Sequence, residues 1–338
     1  MDQTPPPNLS QQLLEHISSY WISQVIGVVA RLRLADLLAS GPLSSEALAP
    51  QVGAHPEGLY RLMRAGVVAG LFTQVPPRTF TLTPLGACLR SEVPGSMRDM
   101  AIMQTAPGHW RPWGDLVTAI QTGRSPVREV LGSDIWEHYQ KNPEEAAHFD
   151  RVMGSFSSFV AAEVARLHDF SPYARVADVG GSQGVLLAAV LRAHLSCRGI
   201  LFDLPHVIDG ARAQVEAEGL GQRMDLVAGS FFEPVIPTAE AYLLKHILHD
   251  WDDASSTAIL RQIHRAAPPG ARLIVVEMVM PDEEPSRTDL IDLNMLVLAD
   301  GRERTAREYE ELLTRTGWAL ERITPSPSGV SLIEARKR

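Results

Sequence analysis

The chain has 338 residues, enough for two domains with separate cores, and its 45% hydrophobic and 21% charged content is ordinary for a globular protein in water. A formal net charge of −9 argues against a nucleic-acid-binding or anionic-membrane surface. With only Cys88 and Cys197 there is neither a disulfide framework nor a four-cysteine zinc site, and no apolar run reaches the length of a membrane span.

The first seven residues are proline-rich and lack the basic and apolar regions of a signal peptide, so a reducing cytoplasm is the expected location. From Leu13 to Leu38 apolar residues recur at helical spacing (Ile17, Trp21, Val25, Val29, Leu32) and predict one long helix, with Gly27 tolerated inside it. Helices follow over Ser44 to Val52 and Pro56 to Ala69. Leu71–Thr73 and Thr79–Thr83 then read as two strands around Pro76-Pro77. Helices followed by a small hairpin are the pattern of a winged helix. DNA binding is the obvious reading, but the predicted recognition helix holds only Arg61 and Arg64 as basic residues. Residues 97–160 are largely helical, with Trp110 and Trp113 near His109, and Met153, Phe156 and Phe159 at helical spacing. Core packing explains such clusters, and a Met- and aromatic-rich wall also suits a flat apolar ligand.

Beyond about Phe170 strands and helices alternate. Strands are legible at Val176–Val179, Ile200–Asp203, Asp225–Ala228, Ala241–Leu244 and Leu273–Glu277, with later ones near Leu320–Ile323 and Val330–Glu334. The pattern predicts an α/β, largely parallel, doubly wound sheet. Ligands of such sheets lie outside the carboxyl ends of the strands, where Asp178, Asp203, Ser230, Lys245 and Glu277 all fall. The first strand enters the turn Gly180-Gly181-Ser182-Gln183-Gly184 and then an apolar helix, Val185 to His194. Open backbone N–H groups of that turn face any ligand across the strand ends. Asp203, about 25 residues on, is placed to accept both hydroxyls of a ribose. A dinucleotide fingerprint ending at Gly184 needs glycine at 179, where the chain has Val179. That departure argues against a pyrophosphate cofactor; S-adenosylmethionine, with a ribose and no phosphate, suits such a turn, and a plain strand-turn-helix of an α/β protein is the alternative.

Five segments occur in one order: Asp178 to Gly184, Phe202-Asp203-Leu204-Pro205, Gly229-Ser230-Phe231-Phe232, Lys245 to Trp251, and Gly301-Arg302-Glu303-Arg304-Thr305. Together they resemble the S-adenosylmethionine-dependent O-methyltransferases of the plant caffeate and hydroxyindole type and their bacterial natural-product relatives, over nearly the whole chain. The resemblance implies a Rossmann-like methyltransferase sheet behind an N-terminal winged-helix domain that serves dimerisation, not DNA. It implies a dimerisation domain over residues 1–100, a helical linker and pocket roof over 101–169, and a catalytic domain over 170–338. A homodimer through residues 11–38 follows from it.

The resemblance matches His249 to the family's general base, with Glu277 and Glu303 as carboxylates that orient its ring. It matches Gly180 and Gly181 to the cofactor turn, Asp203 to the ribose acid, Ser230 and Phe231 to the adenine side, and Lys245 to a cofactor-proximal lysine. Many plant members carry aspartate where Ser230 stands; the hydroxyl can still make one hydrogen bond. Met153, Phe156, Asp250, Asn294, Met295 and Leu298 are placed near an aromatic acceptor. A sulfonium methyl is already electrophilic and calls for no metal. A phenol near pKa 10 does need a base, and an imidazole near 6.5 can serve. Alternatives stay open at this stage. His246 and His249 could ligate a metal, His249 could be structural, the acceptor atom could be a heteroaromatic nitrogen, and the N-terminal part could belong to a ligand-sensing regulator.

Overall fold

The computed structural model describes residues 8–338, so the proline-rich start lies outside the described residues. The chain divides into two compact units, Met1–Arg111 with Trp136–Val152, and Pro112–Ile135 with Met153–Arg338. The expected middle segment, residues 101–169, is thus shared between them.

In the first unit the helices Leu9–Ser18, Tyr20–Arg31, Leu34–Leu37, Ser45–Leu48 and Pro56–Val68 accompany three short strands. These are β1 (Leu43–Ser44), β2 (Phe72–Val75) and β3 (Thr79–Leu82), antiparallel in the order β1-β3-β2. Val29, Leu34, Leu48, Leu59, Met63, Phe72 and Phe80 form their core. The single helix expected over Leu13 to Leu38 is instead three. The Ser18 and Ser19 hydroxyls bond the carbonyls of Leu14 and His16 where the first one ends. Arg33, with φ of 54°, turns the chain again.

The second unit holds a seven-stranded sheet. Its strands are β4 (Arg175–Val179), β5 (Arg198–Asp203), β6 (Met224–Ala228), β7 (Ala241–Lys245), β8 (Arg272–Glu277), β11 (Trp318–Pro325) and β12 (Ser331–Lys337). A separate two-stranded ladder joins β9 (Val279–Met280) to β10 (Arg304–Thr305) in parallel. The large sheet runs β11-β12-β8-β7-β4-β5-β6, parallel from β8 to β6 and antiparallel at the β11 edge. Strands covered on both faces read as mostly apolar runs, and β4, β5, β7 and β8 do so apart from charged residues at or near their ends. Alternate residues feed two cores: Val176, Leu201, Leu243 and Ile274 on one face, and Ala177, Phe202, Leu244 and Val275 on the other. The strand order reverses between β4 and β7, the switch point where such sheets bind ligands. Among the described residues no helix is long and apolar enough to cross a membrane.

Candidate active site

Two loops meet at the carboxyl ends of β4 and β7. After β4 the turn requires left-handed backbone at Gly180 (φ 74°) and Gly184 (φ 76°). A Cβ on Gly180 would fall 2.5 Å from Ile247 Cδ1, and one on Gly181 2.6 Å from Asp178 Cγ. Gly180 therefore allows the turn to lie against the β7 loop, and Gly181 allows it to close over Asp178 and Leu201. Asp203, ending β5, accepts from the Ser182 N–H at 2.9 Å on Oδ2 and from the Leu204 N–H at 2.7 Å on Oδ1. Burial raises its pKa against these two donors. The carboxylate is held beside the glycine turn with lone pairs to spare for hydroxyl donors.

Asp178 is buried and its Oδ2 has no hydrogen-bond partner. Burial pushes its carboxyl up to about 7, with Lys245 opposing and Asp203 reinforcing the shift. Burial lowers Lys245, while Asp178, Glu277 and Asp250 hold its charge. An unpartnered buried oxygen beside a glycine turn fits an ammonium-bearing ligand, as the amino-acid end of S-adenosylmethionine is. Past β6, the Ser230 hydroxyl accepts from the Phe232 N–H at 3.3 Å. Phe231 and Phe232 stand edge-on to Trp251, with ring centroids 6.0 and 4.9 Å away. In the sequence Trp251 stands as the end of the segment Lys245 to Trp251, with no role of its own.

His249 sits in a short 3-10 turn, Leu248–Asp250, beyond β7. Its Nδ1 lies 2.9 Å from Glu303 Oε1 and 3.6 Å from Glu277 Oε2, and its Nε2 lies 3.6 Å from Asp250 Oδ1. The imidazole is 14% exposed while Glu277 and Glu303 are 0% and 1%. The two glutamates divide the work. Glu303 takes the ring nitrogen, and Glu277 Oε1 accepts from the N–H groups of Ile247 (2.9 Å) and Leu248 (3.0 Å), which pins the turn. The second oxygen of each has no hydrogen-bond partner. Burial opposes the imidazolium, but Glu277, Asp250 and Glu303 outweigh it and push the His249 pKa up to about 10. The ordinary imidazole value near 6.5 is thereby displaced upward, because Glu277 and Glu303, and with them Asp250, converge on the ring in the fold. Burial also pushes Glu277 up to about 7, with the His249 charge pulling the other way.

Ligand atoms of His249, Glu277 and Glu303 lie within 4.8 Å of one another, close enough for a metal ion as well. His246 is not in that set. Its ring stands edge-on to His249 at 5.1 Å, and among the described residues the convergent set is His249 with the two glutamates, not the alternative of His246 and His249 with Asp250.

Of the remaining candidates, Asn294 and Met295 lie on the helix Arg287–Ala299, and the Asn294 Oδ1 accepts from Trp113 Nε1 at 2.9 Å. Leu298 packs with Ala119 and Val297 in a small core. Met153 and Phe156 lie on the helix Pro143–Leu167, Phe156 well exposed. Arg304, which in the sequence stands within the segment Gly301 to Thr305 without a role of its own, is buried and bonded to the His249 loop.

Comparison with known proteins gives this arrangement a context. The family model of the O-methyltransferase domain matches residues 113–319, and that of the O-methyltransferase dimerisation domain matches residues 14–92. The chain is 41% identical to a phenazine O-methyltransferase of Lysobacter antibioticus, over 97% of this chain and 96% of that one. It is 32% identical to a phenazine-1-carboxylate N-methyltransferase of Pseudomonas aeruginosa, over 97% of both chains. Among solved structures it resembles an O-methyltransferase from neocarzinostatin biosynthesis, in complex with S-adenosylmethionine and 2-hydroxy-5-methyl naphthoic acid. There the TM-score is 0.84 at 33% identity, over 94% of this chain and 96% of that one.

Proposed function

The chain belongs to the S-adenosylmethionine-dependent O-methyltransferase family, and we propose that it methylates a phenolic hydroxyl of an aromatic or polyketide-like small molecule, with His249 as general base. Membership makes it an enzyme that takes its methyl group from S-adenosylmethionine. It leaves the ligand-sensing regulator without support.

The observation that carries the proposal is the 2.9 Å contact between His249 Nδ1 and the buried Glu303 carboxylate. With Nδ1 taken, Nε2 is the nitrogen left to receive a proton from the acceptor, and Glu303 stabilises the imidazolium that results. When bound, S-adenosylmethionine supplies an electrophilic methyl on a sulfonium, whose positive charge disfavours a second cation at His249. Asp203 holds the ribose hydroxyls, the Gly180–Gly181 turn and Asp178 the amino-acid end, and Ser230, Phe231 and Lys245 the adenine side and its surroundings. Met153, Phe156, Asp250, Asn294, Met295 and Leu298 are proposed to shape the acceptor side. No Lewis acid is needed for this transfer, so the reading takes the His249 cluster as hydrogen-bonded, not metal-bound. Free Cys88 and Cys197 are consistent with a cytoplasmic setting, and the dimerisation domain with a homodimer.

N-methylation of a heteroaromatic nitrogen is the second reading. A nitrogen with a free lone pair has no proton to lose, so it makes no demand on the His249–Glu303 pair; that pair favours oxygen. His249→Ala should slow methylation of a phenolic acceptor by roughly 10²–10⁴-fold with cofactor affinity little changed, measured by product formation and calorimetry. A near-wild-type rate would remove His249 as base.

A further inference from the structure

We infer that Gly301 and Arg304 are positioning residues for His249, acting through the backbone of the turn that carries it; the inference rests on His249 being the base. The Arg304 side chain is 1% exposed, and its donors reach both sides of the histidine. Nη1 donates to the Leu248 carbonyl at 2.8 Å and Nη2 to the Trp251 carbonyl at 2.9 Å. Nη2 also donates to Ser256 Oγ at 3.2 Å, and Nε and Nη2 to Asp253 Oδ1 at 3.1 and 2.9 Å. Between these anchors the Arg302 N–H donates to the carbonyl of His249 itself at 2.8 Å. The approach is so close that a Cβ on Gly301 would fall 2.2 Å from that carbonyl oxygen and 3.1 Å from Asp250 Cα.

Residues 301–304 therefore grip three carbonyls in the four-residue stretch 248–251, and the same segment carries Glu303. The register of one segment on the other sets the distance from His249 Nδ1 to Glu303 Oε1. The ladder of β10 on β9 ties this segment to the chain just after Glu277, so one backbone arrangement fixes both carboxylates against the ring. A guanidinium suits this place because its planar fork serves several acceptors at once, where an ammonium on a flexible stem does not. A reacting group displaced by about 1 Å can lose on the order of 100-fold in rate, so the grip has a catalytic consequence beyond stability.

The test uses the full-length protein with S-adenosylmethionine and a phenolic acceptor. Arg304→Lys and Gly301→Ala should each lower kcat by about 10- to 100-fold while KM for the cofactor stays near wild type. In both, NMR titration of labelled histidine should show the His249 imidazole moving back toward an ordinary value. Groups facing the ring in that titration are Glu277, Glu303, Asp250 and His246. Ser256→Ala removes one hydroxyl from the same knot and should give a smaller change in the same direction, which keeps the test open if Arg304→Lys does not fold. Lowered thermal stability with unchanged kcat and unchanged His249 titration in the folded variants would overturn the inference and leave a structural role only. Failure of the base itself is distinguishable, since His249→Ala would then retain its rate whatever Arg304→Lys does.

Discussion

At the residue scale, the proposal that His249 is the base makes the charge on its imidazole the decisive quantity. An imidazole accepts a proton only when neutral, and the surrounding carboxylates raise its pKa to about 10, so near neutral pH the cation dominates in the free protein. With the folded value raised, the active form grows as pH increases. The rate, as kcat/KM for the acceptor, should climb from pH 7 toward 10. Glu277→Gln keeps an oxygen for the Ile247 and Leu248 N–H groups but removes a charge. The same climb should then begin at lower pH. Profiles that are flat, or identical in the two proteins, would detach the rate from this cluster. Asp203 supports a second expectation at this scale. Asp203→Ala should weaken S-adenosylmethionine binding by about 2–5 kcal/mol, because two hydroxyls lose a partly desolvated charged partner. Calorimetry showing unaltered affinity would move the ribose elsewhere.

At the element scale, the turn with His249 leads into the helix Asp253–Ala266, whose N-cap is Asp252. Its carboxylate accepts from the Ser255 N–H at 2.7 Å, satisfying one donor that the helix cannot. Those hydrogen bonds lower its pKa, so the cap is complete above the ordinary carboxylate range and is lost as pH falls through the depressed value. Asp252→Ala should cost ~1 kcal/mol of stability, read by denaturant unfolding at pH 7, and the difference from wild type should shrink in acid. An equal difference at acid pH would mean that the loss is not the cap's. Such a cap is legible in a sequence, because an acid before a helical run is a local signal. The short ladder of β9 and β10 is not, since two-residue strands carry no periodicity.

At the scale of the whole molecule, the helices Leu9–Ser18 and Tyr20–Arg31 leave Leu9, Leu13, Leu14, Ile17, Tyr20 and Trp21 exposed. So many large apolar side chains on neighbouring helices, in a stretch that overlaps the O-methyltransferase dimerisation domain, are the expected mark of a protein–protein surface. The protein should run as a dimer in light scattering at micromolar concentration, and Ile17→Asp with Trp21→Asp should shift it toward monomer. A wild-type monomer would place the interface elsewhere or nowhere.

The sequence by itself determined the parallel sheet, the glycine turn, the place of Asp203 at a strand end and the order of the segments that build the site. Each is written in contiguous residues: buried strands as apolar runs, the turn as glycines, Asp203 as the end of its strand. Only the tertiary structure decided how the segments meet. Glu303 lies 54 positions from His249, and nothing local says that it takes Nδ1 while Glu277 pins the backbone. The raised pKa of the imidazole is a sum of fields from three carboxylates that converge only in space. The grip of Arg304 on the Leu248 and Trp251 carbonyls is equally invisible along the chain, because a carbonyl's partner is chosen by packing and not by neighbouring residues.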